Sequence, residues 1–114
     1  MDVDEILRKN TPLTEASFYI LISLAEPLHG YGIMQKVRVL SKGRLQLGPG
    51  TLYGALSNLQ SAGLITGVEG GSDVERRKVY RMTTAGRELA NYEILRLEEM
   101  AQNGRQMLEN GENT

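Results

Sequence analysis

Residues 64–83 read Leu64-Ile65-Thr66-Gly67-Val68-Glu69, then Gly70-Gly71-Ser72-Asp73-Val74-Glu75-Arg76, then Arg77-Lys78-Val79-Tyr80-Arg81-Met82-Thr83. The outer runs are rich in β-branched and aromatic residues, and the Gly-Gly-Ser-Asp cluster between them is made of turn formers. The spacing predicts a β-hairpin with strands over 64–69 and 77–83. Strand side chains alternate, so Tyr80 and Met82 share one face of the second strand while Arg77, Val79 and Arg81 share the other. One face packs, and the other is mostly cationic.

Immediately before the hairpin, Leu52, Leu56 and Leu59 recur at i, i+4 and i+7, the spacing of a buried helix stripe. Gly48-Pro49-Gly50 marks its start, because a proline in the first turn gives up no hydrogen bond, and Gly63 supplies a stop. The other side of this helix reads Gly50, Gly54, Ser57 and Ser61. Further upstream, Leu45-Gln46-Leu47 alternates like a brief strand. A helix over 31–40 places Ile33, Val37 and Leu40 on one face, with Gln35, Lys36 and Arg38 largely on another. From 16 to 25 nearly every residue is apolar on all faces, which predicts a helix enclosed by others. Thr14 is its N-cap, Leu13 and Phe18 form a hydrophobic staple, and Pro27 closes it. Residues 1–12 form an arm or short helix that ends before Thr11-Pro12, since a residue preceding proline disfavours the α region.

Downstream of the hairpin, a long helix from about 84 to 109 carries two apolar stripes. Ala85, Leu89 and Tyr92 form one, for its own domain. Ala90, Ile94, Leu97, Ala101, Gly104 and Leu108 form the other, with the alternating steps of four and three of a heptad seam. A helix with a second stripe has a second body to contact, so Ala90, Ile94, Leu97, Ala101 and Leu108 are expected to meet a second copy of the chain. The order helix, helix, short strand, helix, hairpin, helix is that of a winged helix-turn-helix with an appended helix. The fold class is therefore mainly α with a small β-hairpin. Its parts are an arm at 1–12, the winged domain at 13–83, a dimerisation helix at 84–110 and a tail at 111–114.

Composition narrows the function. At 114 residues and 40% hydrophobic, the chain can build one modest core. It contains no cysteine and a single histidine, His29, which stands beside Gly30 without a second ligand type and reads as structural. The carboxylates scatter over helix ends and the acidic C-terminal part rather than converging, so neither an enzyme nor a metal or other cofactor is expected. No run approaches the roughly 20 apolar residues of a membrane span, and the acidic start is unlike a signal peptide, which points to the cytoplasm.

Net charge is −1, but it is unevenly placed. Residues 1–27 hold five acids and two bases, and residues 88–114 hold six acids and two bases. Residues 28–87 hold nine bases against three acids, a net of +6. A basic centre between acidic ends suits a face presented to phosphates, and solvated helix faces produce the same asymmetry.

Three segments together resemble the PadR family of bacterial transcriptional regulators. They are His29-Gly30-Tyr31-Gly32-Ile33; Gly50-Thr51-Leu52-Tyr53-Gly54-Ala55-Leu56 with Leu59 and Gly63-Leu64-Ile65; and Arg76-Arg77-Lys78-Val79-Tyr80-Arg81-Met82-Thr83 with Gly86. The resemblance covers most of the chain. It implies a homodimer that binds double-stranded operator DNA, usually represses, and releases DNA on a small-molecule or other signal. Gly48 stands where the pattern often has serine, and Gly54 where proline is common. Some relatives hold drugs between tryptophans at the dimer interface, and this chain has no tryptophan.

On that reading the helix beginning at Pro49 enters the major groove, and its outward Thr51, Tyr53, Ser57 and Asn58 meet bases or phosphates. Arg76, Arg77, Lys78 and Arg81 grip the backbone from the wing, and Lys36 adds a contact from the preceding helix, with Arg38, Lys42 and Arg44 behind it. A winged-helix module for protein–protein assembly would share the fold without binding DNA.

Overall fold

Side-chain caps open the first two helices. In the computed structural model, which describes residues 2–69 and 78–112, Asp2 accepts the Glu5 N–H at 2.8 Å at the head of α1 (Val3–Asn10). Thr14 Oγ1 accepts the Ser17 N–H at 3.0 Å at the head of α2 (Glu15–Ser23). Each cap satisfies an amide that the helix cannot pair internally. A two-residue strand, β1 (Leu28–His29), leads directly into α3 (Gly30–Leu40). His29 caps α3, its Nδ1 accepting the Gly32 N–H at 3.2 Å, so the histidine has a structural task. Lys42 and Gly43 take φ values of 55° and 80° in the turn that ends α3.

Next come α4 (Pro49–Ser61), with Pro49 in its first turn and a turn at Gly63 beyond its end, and the hairpin strands β2 (Ile65–Glu69) and β3 (Lys78–Met82). The long α5 (Thr84–Glu112) completes the chain. The sheet is antiparallel in the order β1-β3-β2, with Leu28 opposite Tyr80 and Gly67 opposite Tyr80 on the other edge.

One core unites these elements: Ile20, Leu21 and Leu24 of the α2 region, Ile33 and Val37 of α3, Leu52, Leu56 and Leu59 of α4, Leu64 and Ile65, Tyr80, and Leu89 and Ala90 of α5. The enclosed character of α2 follows from its central place. Backbone hydrogen bonds sew the wing in, from Met82 N–H to Leu24 O at 2.9 Å and from Thr83 N–H to Leu64 O at 3.0 Å.

The structure corrects the sequence reading of the elements first at the brief strand and then on α5. The brief strand lies at Leu28–His29 and not at Leu45-Gln46-Leu47. Leu28 and His29 lie along the open edge of β3, whereas Leu45 and Leu47 pack against the core as irregular chain, the Leu45 N–H donating to Ser41 Oγ at 3.0 Å. On α5, Tyr92 is exposed, and the inward position belongs to Glu93, whose carboxylate is satisfied by polar partners described below. The helix also runs through residues 111 and 112, expected as tail. Among the described residues, no helix is long and apolar enough to cross a membrane.

Candidate nucleic-acid interface

The buried stripe Leu52-Leu56-Leu59 fixes how α4 is rolled, and the roll decides what it shows to solvent. Thr51, Tyr53, Ser57 and Asn58 are exposed, as are Gly50 and Gly54, so the outer face is polar and low in profile. Gly48, at the cap position, makes no side-chain hydrogen bond to the first turn.

Tyr53 sits at the junction of three elements. A Cβ built on Gly30 would lie 2.4 Å from its hydroxyl oxygen, so the phenol is seated on the first turn of α3 at a spot only glycine leaves open. The ring remains 51% exposed, so one edge is held while the other is free. Tyr80 of β3 lies close enough to feel it: burial pushes the Tyr80 phenol above its ordinary value, and the Tyr53 phenol pushes it further the same way. The outward helix and the wing thus influence each other electrostatically through this pair of tyrosines.

In the wing, Lys78 and Arg81 are exposed. The Lys78 ammonium lies 5.6 Å from the centroid of the Tyr80 ring, a cation–π distance that aligns the side chain along the strand. Arg81 stands opposite Thr66. The expected contacts Arg76 and Arg77 lie outside the described residues. Lys36 differs from expectation. The phase of α3 turns it toward the connection after α2, where it is half-buried and bonded to Glu26 Oε1 at 3.3 Å.

A buried carboxylate lies elsewhere, where α5 meets the residues that lead into α2. Glu93 is 1% exposed; its Oε1 accepts the Leu13 N–H at 2.6 Å and its Oε2 the Arg96 Nε–H at 2.5 Å. Burial alone would raise its pKa, but the hydrogen bonds from Arg96 and Leu13 and the charge of Arg96 outweigh that and hold it below the ordinary value. Beside it a cleft between α2 and α5 is lined by Leu13, Phe18, Tyr19 and Leu97, with the Glu15–Arg44 and Glu93–Arg96 pairs on its walls.

Residues 20–91 match the family model described as the Transcriptional regulator PadR-like family. The chain belongs to this family. It is 40% identical over 80 residues to a 37.1 kDa protein in transposon TN4556 of Streptomyces fradiae, and 36% identical over 74 residues to Transcriptional regulator Rv3488 of Mycobacterium tuberculosis. Those matches take in 69% and 65% of the chain but span 22% and 66% of the two relatives. A PadR family transcription regulator from hypervirulent Clostridium difficile R20291 superposes with a TM-score of 0.66 at 28% identity, covering 80% of this chain and 97% of that one. Members of the family are transcriptional regulators and not enzymes.

In this PadR-like chain the expected seam of α5 divides in two. Ala90 is 5% exposed and belongs to the domain's own core, because the first turns of α5 pack against α2 and β3 and enclose it. Ile94, Leu97, Ala101 and Leu108 are exposed. The heptad reading missed Leu95, Met100 and Met107, which are exposed as well. Leu97, Met100, Gly104, Met107 and Gly111 form a second row with steps of three and four that interleaves with the first. That signal was present in the sequence, and it makes the apolar face broader than a single seam.

Proposed function

We propose that this PadR-like protein is a homodimeric, sequence-specific double-stranded DNA-binding repressor in the cytoplasm, relieved by a small molecule or another signal. The observation that carries the reading is the polar, glycine-lowered outer face of α4, held rigid by its buried leucines and flanked by the cationic wing. Thr51, Ser57 and Asn58 meet base edges; Tyr53 braces the helix and offers its free edge; and Lys78 and Arg81, with Arg76 and Arg77, take phosphates. Lys36 gives up part of its attraction for DNA to Glu26. Ile94, Leu97, Ala101 and Leu108, widened by Met100 and Met107, meet a second copy. The winged domain spans 13–83 and the pairing helix 84–110. A two-fold pair sets its reading helices one DNA turn apart, about 34 Å, on a palindromic site. The cleft between α2 and α5 suits a small, largely apolar effector, because anything filling it touches both the reading domain and the pairing helix.

The test is selection of genomic fragments by the purified protein, followed by titration of a recovered fragment across salt concentrations. Retention of a discrete palindromic set, with affinity falling steeply with log salt, is the expected result. Retention of no fragment at low salt would overturn the DNA reading in favour of an assembly module.

A further inference from the structure

The single histidine of the chain caps a helix, and it can do so in one protonation state only. His29 Nδ1 accepts the Gly32 N–H at 3.2 Å, so that nitrogen carries no proton and the capping imidazole is neutral, protonated on Nε2. A proton added at Nδ1 turns the acceptor into a donor facing a donor. Two further features oppose the imidazolium. It would stand at the head of α3, where the helix dipole repels a cation, and among the described residues no carboxylate lies within ion-pair distance of it.

The neighbours of this cap give it reach. Gly30, the first residue of α3, is the seat of the Tyr53 phenol from α4. His29 itself stands opposite Val79 in β3, and Leu28 stands opposite Tyr80, the phenol that feels Tyr53. Residues 28–32 are therefore where the wing, α3 and the reading helix α4 meet. The ionisable groups on the elements around the cap are Tyr31 of α3, Tyr53 of α4, and Lys78 and Tyr80 on either side of Val79 in β3. Glu26, a short way upstream, is taken by Lys36. Tyrosine and lysine ordinarily titrate near about pH 10 and carboxylates near about pH 4, so between about pH 5 and pH 8 the side-chain charge that changes is that of the imidazole.

We propose that His29 is a positioning residue for the reading helix: its neutral imidazole holds the first turn of α3 as the seat of Tyr53, and protonation releases that turn, so that DNA binding weakens in mild acid. The stabilisation is present where the imidazole is neutral and is lost as pH falls through its titration. The effect on affinity rests on the DNA-binding reading above, whereas the cap and its loss do not.

His29→Asn is the decisive variant, because asparagine caps a helix through a side-chain oxygen that does not titrate. His29→Ala removes the cap at every pH. Three readouts compare them with the wild type between about pH 8 and about pH 5.5, above the window in which Glu93 titrates. With one histidine in the chain, the imidazole 15N signals need no assignment, and at the upper pH they are expected to show a bare Nδ1 and a protonated Nε2. The gap in urea midpoint between wild type and His29→Asn is expected to open as pH falls, the wild type approaching His29→Ala. The wild-type affinity for a duplex recovered by fragment selection is expected to fall about fivefold relative to His29→Asn, the size of one helix cap, with the far-UV signal retained. A proton on Nδ1 at the upper pH, or a wild-type to His29→Asn stability gap that does not change with pH, overturns the titrating cap. A relative affinity that is flat with pH confines His29 to stability and overturns its positioning role. One that rises as pH falls makes the imidazolium a phosphate partner and overturns that role too. Absence of DNA binding by the wild type at either pH overturns the DNA reading, and the positioning role with it, whatever the cap does.

Discussion

At the scale of the residue, the contact between Tyr53 and Gly30 is the most sharply defined in the candidate interface. Gly30→Ala introduces a methyl 2.4 Å from the phenolic oxygen, so the half-exposed ring must swing out of its seat to clear it. Overpacking of this kind costs about 1–3 kcal/mol. Tyr53→Phe removes the nearest atom and leaves the ring carbon Cζ, 3.0 Å from the same point, so the double variant is expected to recover part of the loss. Urea midpoints of the two single variants and the double variant check this; strictly additive losses would remove the contact from the account. Glu93 gives a pH signature. Its pKa is depressed in the folded state, so its contribution to stability is present above the ordinary carboxylate value of 4.5 and is lost as pH falls through the folded value. Glu93→Ala leaves the Leu13 N–H and the Arg96 guanidinium without their acceptor and is expected to cost about 1–3 kcal/mol at pH 7. The gap between wild type and variant in denaturant midpoints should close below that pH window. A constant gap would mean that the carboxylate acts through packing alone.

At the scale of elements, the join between wing and last helix is set by Gly86. A Cβ there would lie 2.0 Å from the carbonyl oxygen of Leu64, and backbone cannot yield as a flexible side chain does. The same join is held by Thr83, whose Oγ1 donates to Gly63 O at 2.7 Å and accepts the Gly86 N–H at 3.0 Å. Gly86→Ala is therefore expected to cost about 3 kcal/mol, read from the thermal midpoint, whereas Gly54→Ala, where a Cβ meets nothing within 4 Å, should not lower it. These elements differ in how much of them the sequence reveals. The three leucines of α4 and the turn formers of the hairpin are local patterns, and local patterns survive into the structure. β1 has only two residues and exists because β3 lies beside it, so nothing within Leu28-His29 announces a strand. Glu93 was hidden for a related reason: its partner Leu13 is 80 residues away, and a carboxylate on an apolar stripe reads as a polar interruption until that partner is in view. The site shows the same division. The exposed face of α4 follows from its period, whereas the Glu26 that draws Lys36 aside comes from the neighbouring connection.

At the scale of the whole molecule, the shape itself calls for a partner. The chain extends 66 Å in its longest direction against 35 and 21 Å in the others. Residues 97–111 of α5 are exposed throughout, Met107 at 71% and Leu108 at 73%. A helical projection of that length is marginal in water unless something covers its apolar face. A second copy presenting the same Leu97, Ala101, Gly104 and Leu108 row is the simplest cover, and the small residues at 101 and 104 let two helices approach closely. Ala101→Glu/Leu108→Glu puts two carboxylates on that face without touching the domain core. The expected outcome is a shift from dimer to monomer in sedimentation at micromolar concentration, with far-UV helical signal lost from α5 and the winged domain still melting cooperatively. On DNA, a monomer engages one half-site, so the slope of log affinity against log salt should fall to about half that of the wild type. The wild type adds an internal check, because a helix ordered by pairing loses ellipticity on dilution through the dissociation constant, and one stable on its own does not. A wild-type monomer with concentration-independent helicity would leave the apolar face of α5 to some other partner, and would remove the two-fold spacing on which palindromic recognition depends.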